Sequence, residues 1–158
     1  MNSYVFAGLI SLAFFIQPAF AGTEQKIELS AVPAVVVEAL KKRFDDVTLL
    51  SANTETEDDG SFVYEIQGKL ADGRSVEFDV LPDGTIDEVE IIFSSEMVPG
   101  AVMKAIEKKV PGFVPTKIEA THSASMKVMG YEFEGTLKGQ KMDLEVSADG
   151  RTITIADQ

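Results

Sequence analysis

Apolar and polar residues alternate along YEFEGTLKGQKMDLEV, residues 131 to 146, on both sides of a Lys-Gly pair. Period-two alternation about such a pair predicts a β-hairpin, because successive strand side chains point to opposite faces of the sheet. A two-residue loop at Lys138-Gly139 sets Leu137 against Gln140, Gly135 against Met142, Phe133 against Leu144 and Tyr131 against Val146. That register makes one apolar face. On the other face it sets Thr136 opposite Lys141, Glu134 opposite Asp143 and Glu132 opposite Glu145. Like charges directly across a ladder repel, so the hairpin carries its acids against a penalty.

The same pattern occurs earlier in the chain. Val32-Pro33 recurs as Val98-Pro99, Tyr64-Glu65 as Tyr131-Glu132 and Asp83-Gly84 as Asp149-Gly150, at offsets of 66, 67 and 66 residues. Offsets this even predict two copies of one unit. In the first copy, YEIQGKLADGRSVEFDV turns through Ala71-Asp72-Gly73, a loop suited to a type I turn closed by a left-handed glycine. Leu70 then meets Arg74, and Gly68, Ile66 and Tyr64 meet Val76, Phe78 and Val80. The opposite face pairs Lys69 with Ser75, Gln67 with Glu77 and Glu65 with Asp79. Acid thus faces acid in both copies.

Each copy opens with helical periodicity. Val32, Val36, Leu40 and Phe44 recur every fourth residue, as do Val98, Val102, Ile106 and Val110. Ser30 and Ser95 are candidate caps, Pro33 and Pro99 suit the first turn, and Lys41, Lys42, Arg43, Lys108 and Lys109 complement the C-terminal dipoles. A first strand follows each helix, around Thr48 to Asn53 and Lys117 to Thr121, then the hairpin, then a last strand after an Asp-Gly turn. In the first copy Val89 and Ile91 fall out of phase with Ile86, which a bulge near Asp87-Glu88 repairs. These elements predict an α+β fold: two tandem helix-plus-four-strand repeats forming one antiparallel sheet with both helices on one face.

The chain's beginning adds a destination. An apolar run from Val5 to Ile16, then Pro18 and Ala19-Phe20-Ala21, reads as a secretory signal peptide cleaved after Ala21, although residues 1 to 23 contain no Lys or Arg. The expected organisation is a signal peptide over 1–21, a linker over 22–28, and repeats over 29–93 and 94–158 that close into one compact domain. A soluble periplasmic or secreted location follows, without membrane insertion after cleavage. The formal charge of −12 argues against nucleic acid and anionic lipid, which recruit Lys and Arg clusters. No cysteine is present, so disulfides are excluded.

The ordered elements Val-Pro helix, YEIQG, Asp-Gly and VEFDVLPDGTI, with the looser second set YEFEG, Lys-Gly and DLEVSADGRTI, resemble the PepSY-like family, also described as beta-lactamase-inhibitor-protein-like domains. The resemblance implies a non-enzymatic exported domain. Related domains restrain peptidases, and the tandem beta-lactamase inhibitors embrace an enzyme with the open sheet face. The inhibitors' insertion loops are not recognisable here.

Catalytic chemistry has little to stand on: one histidine, no cysteine and no phosphate-binding glycine loop. No cofactor or metal is expected. The acidic sheet face, comprising Glu65, Glu77, Asp79, Glu132, Glu134, Asp143 and Glu145, has two readings. One is a solvated outer face whose repulsion Lys69 and Lys141 partly offset; the other is a docking surface for a protein partner with a basic surface, bound by a monomer. A different class, a small-ligand or divalent-cation-binding envelope protein, has two candidate sites. The run TETEDDG groups Glu55, Glu57, Asp58 and Asp59 but lacks EF-hand spacing and reads as a solvated hairpin loop. His122, Met126 and Met129 are soft donors suited to Cu(I), provided they share a face.

Overall fold

Strands whose alternation stays in phase across short turns pair in chain order, and here they make one nine-stranded antiparallel sheet in the order β1 to β9. The structure, a computed structural model, describes residues 24–56 and 60–156. Its strands are β1 (Gln25–Ile27), β2 (Thr48–Thr56), β3 (Phe62–Lys69), β4 (Ser75–Val80), β5 (Ile86–Ile92), β6 (Phe113–Ser123), β7 (Val128–Leu137), β8 (Gln140–Ser147) and β9 (Ile153–Ala156). Helices α1 (Ala34–Arg43) and α2 (Gly100–Lys109) precede β2 and β6. Each repeat therefore contributes a helix and four strands, as expected. The expected signal peptide lies outside the described residues, among which no helix is long and apolar enough to cross a membrane.

The stretch expected to be a linker holds β1, which pairs Gln25, Lys26 and Ile27 with Thr54, Asn53 and Ala52. Three residues are too few for periodicity to register. Their pairing comes from the edge of β2, whose backbone groups need partners. The first strand of each repeat also runs further than expected, β2 to Thr56 and β6 from Phe113.

Each helix has 10 residues and would be marginal alone. Packing holds them. Val36 and Leu40 are buried on Ala52, Ile66, Phe78, Val80, Val89 and Ile91. Val102 and Ile106 are buried on Ile118, Ala120, Tyr131, Phe133, Leu144 and Val146. Each such side chain contributes about 1.5–3 kcal/mol by leaving water. Ile91 pairs with Ala120 across β5 and β6, and Phe93 packs against both clusters, so both helices cover the same face.

The serines do not cap. Ser30 and Ser95 sit in single 3-10 turns, Leu29–Ala31 and Ser95–Met97, ahead of the helices. Pro33 and Pro99 occupy the N-cap positions with no side-chain cap hydrogen bond. Their carbonyls accept from Val37 at 3.3 Å and Met103 at 3.3 Å, so the extended proline itself starts the helix.

Both hairpins adopt the expected registers, including Glu65 opposite Asp79, Glu134 opposite Asp143 and Glu132 opposite Glu145. The β4–β5 ladder slips where Asp79 faces Glu88 and Val80 faces Ile86, leaving Asp87 as the extra residue. That bulge returns Val89 and Ile91 to the core face. At the tip of β7–β8, Lys138 has φ 53° and Gly139 φ 82°, the left-handed pair of a type I′ turn. Lysine is a poor residue for the first position. Lys138→Asn is expected to stabilise the fold by about 0.5–1 kcal/mol, read as a higher denaturation midpoint at unchanged slope.

The glycine of YEIQG and YEFEG has a tertiary reason. Gly68 pairs with Leu49 and Gly135 with Pro115, and both ladders slip one residue further on, at Leu49/Ser51 and Pro115/Lys117. A Cβ on Gly68 would lie 2.8 Å from the Thr48 carbonyl oxygen, and one on Gly135 would lie 2.5 Å from that of Val114. Each glycine lets a bulging neighbour close onto the sheet.

Candidate functional site

The face away from the helices is built by the alternate residues of β2 to β9. All seven predicted carboxylates lie on it, because each is paired with, or two residues from, another of the set. Sequence reasoning missed three more. Glu77 pairs with Glu90, Asp79 with Glu88, and Glu119 with Glu132, so β5 and β6 extend the acidic field to the join between the repeats, where Glu88, Glu90 and Glu119 stand opposite Ser123, Thr121 and Ile92. The signal was present in the bulge near Asp87, which puts Glu88 and Glu90 on the open side once Val89 and Ile91 face the core.

This face is not simply solvated. Glu65 is only 7% exposed, and beside it Asn53 is 9% exposed. The Asn53 side-chain amide donates to the Glu65 carboxylate at 3.0 Å and to that of Glu24 at 2.5 Å. Gln67 donates to Glu65 at 3.4 Å and to Glu77 at 3.0 Å, while its own oxygen accepts from Ser51 at 2.9 Å. Burial, then the neighbouring charge of Glu77, pushes Glu65 up to about 7 against the opposing bond from Asn53.

The centre of the sheet is more extreme. Burial on β5, followed by the charges of Glu132, Glu119, Glu77 and Glu88, pushes Glu90 up to about 9. Glu132 also moves up, through burial and then Glu119 and Glu145, with Lys117 opposing. Burial and close neighbours of one sign thus raise Glu65, Glu90 and Glu132 by different amounts, because such a group cannot all be charged cheaply.

The compensating lysine also differs from the expected ones. Lys69 donates to the Ser75 hydroxyl at 2.8 Å rather than to a carboxylate. Neither Lys69 nor Lys141 forms an ion pair among the described residues. Lys117 takes that role, 2.6 Å from Glu119 and 3.0 Å from Glu134. Burial opposes its charge, but the bonds to Glu119 and Glu134 outweigh it and hold the ammonium firmly protonated. A cleft of about 290 Å³ opens on this face, lined by residues of β2 to β6 including Leu50, Glu77, Glu90, Ile92, Lys117 and Glu119.

Of the two ion-site candidates, the soft-donor set does not assemble, and most carboxylates of the acidic run lie outside the described residues. Glu55 belongs to β2 opposite Val63, and residues 57–59 of the acidic run lie outside the described residues. His122 is buried on the helix side, its Nδ1 3.2 Å from the Val89 carbonyl oxygen and its ring 5.9 Å from that of Phe93. Met126 packs on the α1 core, whereas Met129 is 53% exposed and lines a hollow with Thr121 and Glu132 on the opposite face. The ladder slip between Thr121 and His122 leaves Met129 as the extra residue, away from His122 and Met126, so the Cu(I) arrangement is not formed.

A helix-backed antiparallel sheet with one open face defines a class of scaffold rather than an activity. No family model and no curated protein matches the chain. Solved structures do: a BLIP-like protein from Bacteroides fragilis is similar over 79% of this chain and 85% of its own, with 20% identity and a TM-score of 0.61. A DUF2874 family protein from Bacteroides uniformis is similar over 78% of this chain and 88% of its own, with 15% identity and a TM-score of 0.58. At such identities the likeness establishes the fold, which is that of the BLIP-like protein.

Proposed function

We propose that this protein is an exported, non-enzymatic binding module of the PepSY-like, BLIP-like kind, acting in the periplasm as a monomer. Its open acidic face docks a protein partner with a basic surface, in the manner of a peptidase or hydrolase inhibitor. The observation that carries the reading is the acidic field from β3 to β8, with carboxylates paired across β3–β4, β4–β5, β6–β7 and β7–β8. Mutual repulsion there lowers the stability of the free protein, and a cationic surface would relieve it on contact. Complementary charge also speeds encounter and rejects acidic competitors. The BLIP-like fold supports the reading by analogy alone.

Protein exported from the full chain, immobilised and exposed to periplasmic extract at low and high salt, tests this. A specific partner is expected at low salt, with at least tenfold less retained at high salt. The variant with Glu132, Glu134, Asp143 and Glu145 converted to their amides is expected to lose it. Equal capture by the variant would sink the docking role of this face.

A further inference from the structure

We propose that the open-face cleft between Leu50 and Lys117 receives one arginine side chain of the partner, its guanidinium among Glu77, Glu90 and Glu119 and its stem against Leu50 and Ile92. This rests on the docking reading and names where the partner's key side chain enters.

Shape is the first support. A flat sheet has no cleft spanning five strands, yet residues of β2 and β6 line the same hollow. The ladders slip on both flanking strands, between Leu49 and Ser51 and between Pro115 and Lys117, and such bulges bend a strand and sharpen its twist. At about 290 Å³ the cleft sits at the lower bound of ordinary ligand pockets, roughly 300 Å³, so it suits a side chain rather than a whole cofactor.

The walls are the second. The slip at Leu49/Ser51 leaves Leu50 56% exposed in an otherwise acidic surround, and Ile92 stands opposite Glu119 on the same face. A long apolar stem ending in a cation matches apolar walls around an acidic floor. Arginine fits better than lysine, because its planar fork of five donors can serve several carboxylates and loses less hydration on burial.

The third is unmatched charge. Among the described residues Lys117 is the one cation lining the cleft, and it is already held by Glu119 and Glu134. No cation lies within ion-pair distance of Glu90 among the described residues. Glu90 is faced by Glu77 from β4, Glu88 on its own strand, Glu119 and Lys117 from β6 and Glu132 from β7. With Glu90 pushed up to about 9, it holds a proton at neutral pH, and an arriving guanidinium favours its loss. Docking therefore releases a proton and strengthens as pH rises toward 9.

Amide-resolved NMR titration of the exported protein with N-acetyl-argininamide, beside the neutral citrulline analogue, tests the cleft without needing the partner. Saturable shifts centred on Gln67, Glu77, Glu90, Ile92 and Glu119 are expected, with Kd on the order of millimolar. Binding should tighten about threefold or more from pH 6 to pH 8.5 and be absent for citrulline. Glu90→Gln and Glu119→Gln should each weaken it about fivefold or more. Equal shifts with citrulline, or shifts spread evenly over β7 and β8, would overturn the proposal. The captured partner separates the two claims: if the Glu90→Gln, Glu119→Gln double variant keeps it while the four-site amide variant loses it, the cleft fails and the docking face stands.

Discussion

Glu90→Gln is expected to raise stability by about 2–3 kcal/mol at pH 7, moving Tm up by roughly 10 °C. The folded chain holds Glu90 at about 9, whereas an ordinary glutamate sits at 4.5. Between those values the folded state binds a proton that the unfolded state has released, so stability falls as pH rises from 4.5 toward 9. Glutamine removes the ionisation and with it this slope. At pH 5 the gain should shrink to under about 1 kcal/mol, because that pH stands only about half a unit above the ordinary carboxyl value and little ionisation free energy separates the two states. Glu65, held at about 7, adds a slope of the same sign over the lower part of the window. Denaturant midpoints at pH 5, 7 and 8.5 check this. Equal midpoint shifts at all three would mean that Glu90 ionises normally in the folded chain.

The opposite sign is expected at Gly135→Ala, which should cost about 2–3 kcal/mol. An added Cβ would meet the Val114 carbonyl oxygen at 2.5 Å, Phe113 Cζ at 2.5 Å and Phe113 Cε2 at 2.7 Å. Phe113 is itself 8% exposed and packed in the α2 core, so the ring has little room to retreat. Relief requires moving β6 away from β7 at the slip beside Pro115, which disturbs pairing on both sides. Gly100→Ala is the control: nothing lies within 4 Å of its would-be Cβ, and at the start of α2 the change should be neutral or stabilising by up to about 1 kcal/mol. If both alanines behave alike, the close approach of β6 to Gly135 is not tight in solution.

These two variants place the cost of the acidic face in physical terms. The glycines and bulges curve the sheet, and the curvature brings residues of five strands, with carboxylates from β4, β5 and β6, round one hollow. Groups that destabilise a free protein and converge on a cleft are candidates for function, because the penalty is relieved only when something binds.

Much of this was legible in the chain itself. Alternation along residues 131 to 146 specified the β7–β8 register residue by residue, because a one-residue slip would turn Phe133 and Leu144 to solvent. The repeat of Val-Pro, Tyr-Glu and Asp-Gly specified two helices on one face, and the phase break at Asp87 foretold the bulge. The seven acids read from the two hairpins share the open face as expected.

What the chain alone determined, then, was local order: which residues alternate, where they turn, and which face of each hairpin is acidic. Tertiary structure decided the rest. It added β1, placed Glu88, Glu90 and Glu119 between the two acidic hairpins, buried Glu65 beside Asn53, and gave the compensating role to Lys117 rather than Lys69 or Lys141. The physical reason is that periodicity encodes the side of a strand on which a residue stands. Burial and charge depend on which strands lie alongside and how sharply the sheet bends, and those follow only from packing at a distance.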